Sequence, residues 1–191
     1  MPRFLVPALA AGFGLLALFV ALYLAMPGGR MQTAASVGGP FALVAQDGRR
    51  VADAEFRGMP MLVFFGYTHC PDVCPATMSD LSLVMAKLDP KAKLGAIFIT
   101  VDPERDTPAA LKDYMSSFDQ RILALSGTRA ELEPVWKAYR VYAKKIPGKD
   151  GDYAMDHTAL VYLMDKQGNF AGSFNLSQSP DDAARELAKA L

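Results

Sequence analysis

The chain is poor in the residues that disulfides, metals and redox chemistry require. Only two cysteines, Cys70 and Cys74, and two histidines, His69 and His157, occur among its 191 residues. Two cysteines are too few for the disulfide framework that holds many small secreted domains together. Any thiol chemistry of this protein therefore belongs to one local site.

The chain also lacks a net charge and a repeated segment. Lysine plus arginine and aspartate plus glutamate each number 20. This balance gives no electrostatic reason to predict nucleic acid as a partner. No segment recurs at a fixed period, which excludes a repeat architecture.

Charged residues are absent from one long N-terminal stretch, "FLVPALAAGFGLLALFVALYLAM" over Phe4–Met26. About 20 apolar residues in a helix cross the hydrocarbon core of a bilayer. The apolar region of a cleaved signal peptide, the alternative, is usually shorter, at about 7–15 residues. We therefore predict a transmembrane anchor over 1–27, a flexible linker over 28–40 and a folded domain over 41–191, which is long enough to bury its own core.

The folded domain alternates between two hydrophobic patterns. Three continuous apolar runs, "MLVFF", "LGAIFITV" and "ILALS", are typical of strands buried on both faces, and each precedes a segment with helical spacing. Antiparallel hairpins are predicted before and after this block, and a last helix follows Ser179 and Pro180. This order predicts an α/β fold with a mixed central sheet and flanking helices, a sandwich of thioredoxin type.

Both cysteines lie in "GYTHCPDVCP", between the first buried strand and its helix. Sites in open α/β folds collect at this carboxyl edge of the sheet. Pro71 favours an extended Cys70, and Asp72 is predicted to cap the helix. Cys74 would then lie in the first helical turn, where the helix dipole favours a thiolate. The two sulfurs are predicted to point to one spot.

His157, in "MDHTALVYL", stands where a thioredoxin fold places a cis-proline beside its cysteines. Two thiolates and one imidazole suit Cu(I) and can accept Cu(II) or Zn(II). The polar segment before it, "KKIPGKDGDYAMD", is predicted to be a mobile loop. The residues alone leave other interpretations open: a structural disulfide, inert thiols, a redox couple, or a histidine that only completes a strand edge.

Several neighbours are predicted to support such a site without binding metal. Asp156 can orient the His157 ring, and His69 and Asp72 are expected beside the ligands. Met155 is expected not to bind copper. A weaker alternative is a peroxidase, which would need an arginine near the thiolate, and Arg105 in the turn "TVDPERDTP" is the available residue.

Three motifs in this order behind one apolar segment resemble the Sco/SenC family: "GYTHCPDVCP", "TVDPERDTP" and "DYAMDHTALVYLMDKQGNF". The resemblance covers Phe41–Leu191. It implies a thioredoxin-like domain that binds copper, as Cu(I) or Cu(II), through Cys70, Cys74 and His157. Proteins of this family assemble cytochrome c oxidase.

The resemblance implies a membrane-anchored copper metallochaperone and leaves open whether the protein is also an enzyme. Its partner would be the binuclear copper site of cytochrome c oxidase subunit II, with an upstream copper donor and a thioredoxin-like reductant as further partners. The folded domain would lie outside the cytoplasm, in a bacterial periplasm or a mitochondrial intermembrane space. The alternative is a thiol–disulfide oxidoreductase with Cys70 and Cys74 as its redox-active pair.

Overall fold

The computed structural model describes residues 16, 37–149 and 151–191. The predicted anchor over 1–27, apart from residue 16, and most of the predicted linker over 28–40 lie outside these residues. None of the helices that the described residues form has the length and hydrophobicity needed to cross a bilayer. The chain divides into compact units over 1–35 and 36–191, and the second contains every element described below.

A seven-stranded mixed sheet forms the centre of the domain. Its strands are β1 (Ala42–Ala45), β2 (Arg50–Ala52), β3 (Met61–Gly66), β4 (Gly95–Thr100), β5 (Ile122–Ser126), β8 (Val161–Met164) and β9 (Phe170–Ser173). They lie in the order β2-β1-β5-β4-β3-β8-β9. The three predicted apolar strands are parallel neighbours, and β1 and β8 add to them antiparallel. The predicted mixed sheet is confirmed.

Among the described residues of the folded domain, four α-helices follow or flank these strands. They are α1 (Val73–Lys87), α2 (Pro108–Met115), α3 (Arg129–Ala138) and α4 (Pro180–Ala188). The last three begin directly after an N-cap residue: Thr107, Thr128 and Ser179 each accept a hydrogen bond from the backbone N–H three residues ahead. Such caps satisfy N–H groups that a helix leaves without partners at its start.

The segment predicted as a mobile loop is instead a β-hairpin. Strands β6 (Ala143–Pro147) and β7 (Tyr153–His157) pair antiparallel and form a sheet separate from the central one. The N–H of Gly148 donates to the carbonyl of Asp152 at 2.8 Å, which closes its turn. Most of β6 is exposed, so few buried apolar residues mark it in the sequence. The loop prediction was wrong for that reason.

Glu131 closes the cap of α3 and also binds a neighbouring strand. Its carboxylate accepts the backbone N–H of Thr128 at 2.8 Å and a guanidinium N–H of Arg50 at 2.7 Å. The hydrogen bond from Arg50, with those from Thr128, lowers the pKa of Glu131 to about 2. A carboxylate whose pKa is lower in the folded protein than in the unfolded chain stabilises the fold fully at pH values above its unfolded pKa. This stabilisation is lost as the pH falls towards the folded pKa.

We expect Glu131→Ala to lower the free energy of unfolding by about 1 kcal/mol at pH 7, the usual net contribution of a hydrogen bond, because Thr128 and Arg50 would lose their acceptor. Since the ordinary pKa is 4.5 and the folded one about 2, the difference from wild type should shrink as the pH falls through this window. Urea unfolding at several pH values measures it, with Glu133→Ala as the control on the same helix. A difference that stays constant down to about pH 2 would contradict the assignment.

Candidate metal centre

Three side chains converge at one edge of the domain: Cys70, Cys74 and His157. Their two sulfurs and one ring nitrogen all lie within 4.8 Å of one another. The Cys74 Sγ lies 3.4 Å from the His157 Nε2. Among the described residues, no other group of three histidine, cysteine or acidic side chains is placed to hold a metal. The structure therefore brings together the three side chains that the sequence singles out.

The positions of these side chains follow from the elements that carry them. Cys70 lies in the loop after β3, Cys74 in the first turn of α1, and His157 is the last residue of β7. Gly66, the last residue of β3, lies next to the Cys74 side chain, and a Cβ at this position would lie only 2.9 Å from the Cys74 Sγ. A glycine at this position leaves room for the buried sulfur of Cys74.

The start of α1 is capped by sulfur and not by the predicted carboxylate. The backbone N–H of Cys74 donates to the Cys70 Sγ at 3.4 Å. Asp72 occupies the N-cap position but makes no side-chain cap bond, and its φ of −141° and ψ of −70° differ from the extended conformation that caps adopt. Asp72 thus does not play the predicted capping role.

The two thiols differ in acidity. The helix dipole was predicted to favour a thiolate on Cys74, but the pKa of Cys74 is raised and that of Cys70 is lowered. Burial acts to raise the pKa of Cys70, but N–H groups of Asp72, Cys74 and Val73 outweigh it, and the pKa is lowered. Burial dominates for Cys74 and raises its pKa strongly. The Cys74 thiol hydrogen-bonds the Cys70 sulfur, which favours the thiolate on Cys70.

His157 is set up as a neutral ligand. Burial lowers the pKa of its ring, so the imidazole is uncharged at neutral pH. Its Nδ1 lies 3.1 Å from the carbonyl oxygen of Thr158. A proton on Nδ1 satisfies that carbonyl and leaves the Nε2 lone pair facing Cys74. The ring also meets Tyr67 edge-on, with centroids 5.6 Å apart.

The neighbours that sequence analysis singles out lie outside this ligand group. No hydrogen bond of the described residues joins Asp156 to the His157 ring, because successive strand residues point to opposite faces. Thr158 supplies the contact expected of Asp156. His69 is exposed, and its Nδ1 lies 3.0 Å from the Thr68 Oγ1. Met155 is buried in the hydrophobic core.

Asp106 holds the cysteine loop in place, a role that no local sequence pattern indicates. Its fully buried carboxylate accepts the hydroxyls of Thr68 and Thr100, each at 2.6 Å. It also accepts the backbone N–H of Thr68, two residues before Cys70. The segment after β4 thereby fixes the segment after β3. Burial is the main reason that the pKa of Asp106 is raised.

Arg105 does not supply the positive charge that a peroxidase thiolate would need. Its Nε donates to Asp102 at 2.5 Å, and its Nη1 lies 3.2 Å from the Asp152 carboxylate. Cys70 and Asp106 act to raise the pKa of Cys74, and the pKa of Cys70 is lowered by hydrogen bonds of Asp72, Cys74 and Val73 and not by an arginine. The described residues therefore give the peroxidase interpretation no support.

The chain is similar to known proteins in both sequence and fold. The sequence model of the SCO1/SenC family matches residues 29–191. The human "Protein SCO1 homolog, mitochondrial" is 38% identical over 156 residues, which cover 80% of this chain and 52% of that protein. The chain spans about half the length of such curated relatives.

Two solved structures with copper bound share the fold. ScoI of Bradyrhizobium japonicum is 55% identical, with a TM-score of 0.80 over 82% of this chain and 100% of the other. ScoI of Arabidopsis thaliana is 34% identical, with a TM-score of 0.74 over 81% of this chain and 98% of the other. The thioredoxin-like sandwich predicted from the sequence is confirmed.

Proposed function

Because this chain belongs to the SCO1/SenC family, we propose that it is a copper metallochaperone that binds Cu(I) or Cu(II) through Cys70, Cys74 and His157. The observation that carries the proposal is the convergence of these three ligand atoms within 4.8 Å. Two similar proteins are solved with copper bound, which supports the same cargo here. The donor set also fits, since thiolate sulfur and imidazole nitrogen are ligands that Cu(I) prefers.

The side chains prepare the site for metal in different ways. The neutral His157 ring needs no deprotonation, and Cys70 has the lowered pKa. Cys74 must lose its proton when metal binds, because burial raises its pKa. Copper affinity should therefore fall as the solution is acidified. Three protein ligands leave one side of a metal free, which suits transfer to a partner.

The acceptor we propose is the binuclear copper site of cytochrome c oxidase subunit II. We further propose that residues 1–27 anchor the chain in a membrane, with the folded domain in the periplasm or the intermembrane space. An upstream copper donor would load the site. The motifs described above and the family membership support this assignment.

A Cu(I) titration of the full-length chain without oxygen tests the proposal. We expect His157→Ala to weaken Cu(I) binding by about 100-fold. Loss of a residue that only hydrogen-bonds a metal ligand already costs at least roughly 10-fold in affinity, and here a ligand itself is lost. His69→Ala is the matched control and should bind as wild type does. Stoichiometric binding that is indifferent to His157 would contradict the three-ligand site.

A second function, thiol–disulfide exchange, is favoured by the unequal acidity of the two thiols. The Cys70 thiolate would attack a partner disulfide, form a mixed disulfide and release one partner thiolate. Cys74 would then displace the second partner sulfur, so that the partner gains two electrons and Cys70 and Cys74 become a disulfide. A thioredoxin-like reductant would restore the pair. His157→Ala should leave this exchange largely intact, which separates it from copper binding.

A further inference from the structure

Tyr153, at the start of β7, is held between two cations. The guanidinium carbon of Arg105 lies 3.7 Å from its ring centroid, and the Lys145 Nζ lies 3.8 Å from the same point. Two cations this close cannot share one face of a ring, so they cover opposite faces. The Tyr153 hydroxyl donates to the buried Asp102 carboxylate at 2.8 Å. Both the ring and the hydroxyl are therefore fixed.

These contacts join the β6–β7 hairpin to the segment after β4. The hairpin makes no backbone hydrogen bond to the central sheet within the described residues. Arg105 also donates to the carbonyl of Tyr153 at 3.0 Å, and Lys145 pairs with Glu104 at 2.5 Å. The segment that supplies Arg105 and Asp102 also supplies Asp106, which fixes the cysteine loop.

Strand β7 connects the attachment at Tyr153 to the metal site at His157. Tyr153, Met155 and His157 share one face of β7, because strand residues two apart point the same way. Met155 in the middle of this face is buried, at 6% exposure. His157 lies about 13 Å along the strand from Tyr153, at the usual rise per residue. At this end of the face, the His157 Nδ1 lies 3.1 Å from the carbonyl oxygen of its neighbour Thr158, which moves with the hairpin, and its Nε2 lies 3.4 Å from the Cys74 Sγ on α1.

We propose that Tyr153 is a positioning residue of the metal site, which locks the β6–β7 hairpin to the segment after β4 and so places His157 against Cys74. Its role toward copper rests on the proposed function, whereas its role in placing His157 does not. Loss of the Tyr153 hydroxyl would leave the buried Asp102 carboxylate with one hydrogen-bond donor fewer. Loss of the aromatic ring would remove the contacts with Arg105 and Lys145.

The metal-free protein provides the first test. The chain has two histidines, so the ring protons of His157 and His69 give separate NMR signals. Tyr153→Leu should shift or broaden the His157 signals, whose position depends on the edge-on Tyr67 ring, and leave those of His69 unchanged. Tyr142→Phe, which alters an exposed tyrosine just before the hairpin, is the control and should change neither.

Amide hydrogen exchange shows whether the effect is local. Tyr153→Leu should speed exchange in β7 by roughly tenfold and leave β3 and β4 as in wild type, because local opening is independent of global unfolding. Equal acceleration in all three strands would mean a merely structural role and would overturn the proposal. Unchanged His157 signals would overturn it as well.

Cu(I) affinity links the position of His157 to the cargo. Tyr153→Leu should weaken Cu(I) binding by roughly 10-fold, and Tyr153→Phe, which keeps the ring, by less. If Tyr153→Leu speeds amide exchange in β7 but binds Cu(I) as tightly as wild type, Tyr153 does not position His157 for copper. If the wild-type chain bound no Cu(I), the proposed function would fail, and the metal-free NMR comparison would still decide the role of Tyr153.

Discussion

Cys74→Ser is expected to weaken Cu(I) binding by more than about 100-fold. Changes that only disturb the partners of a ligand cost 10–100-fold in metal affinity, and here a ligand itself is lost. A hydroxyl is a hard oxygen donor that Cu(I) does not favour over a thiolate. Competition of the full-length chain with a Cu(I) chelator, without oxygen, measures the change.

The control separates the lost ligand from damage to the core. Cys74 is fully buried, so serine also places a more polar hydroxyl group there. Cys74→Ala adds no such group and should show the same copper loss with a smaller change in thermal stability. Wild-type affinity in either variant would remove Cys74 from the ligand set.

Asp106→Ala is expected to have the largest effect on stability outside the apolar core, about 3 kcal/mol in the free energy of unfolding. Three donors of Thr68 and Thr100 would lose their buried acceptor, and each such loss costs about 1–3 kcal/mol before relaxation. Urea unfolding monitored by the fluorescence of Trp136 measures the effect.

Asp72→Ala is the matched control for Asp106→Ala. Asp72 is an exposed carboxylate of the same loop that makes no cap bond, so its loss should change stability by less than about 0.5 kcal/mol. Equal effects of the two substitutions would show that the cysteine loop is not held by Asp106.

Much of the fold could be predicted because its signals are local. The apolar runs of β3, β4 and β5 are continuous since these strands are buried on both faces. Thr107 and Thr128 mark helix starts because a cap acts on a backbone N–H only three residues away. Such features depend on neighbours in sequence, which one chain displays directly.

Other features could not be predicted because they depend on tertiary contacts. The order of acidity of Cys70 and Cys74 is set by the burial of Cys74 and by the N–H groups around Cys70, which the spacing of the cysteines does not reveal. Asp106 lies 38 residues from Thr68, which it fixes. The β6–β7 hairpin was missed because β6 is mostly exposed and lacks an apolar pattern.

Cys74 and His157 are 83 residues apart in the chain yet in contact in the folded domain. With copper held as proposed, the cargo acts as a removable cross-link that closes this long loop. Because only the folded chain presents all three ligands together, loading raises the free energy of unfolding by mass action. Release of the metal would then return the protein to its less stable form. The copper-free form would consequently be the one most open to proteolysis, so that the lifetime of the protein would depend on its copper supply.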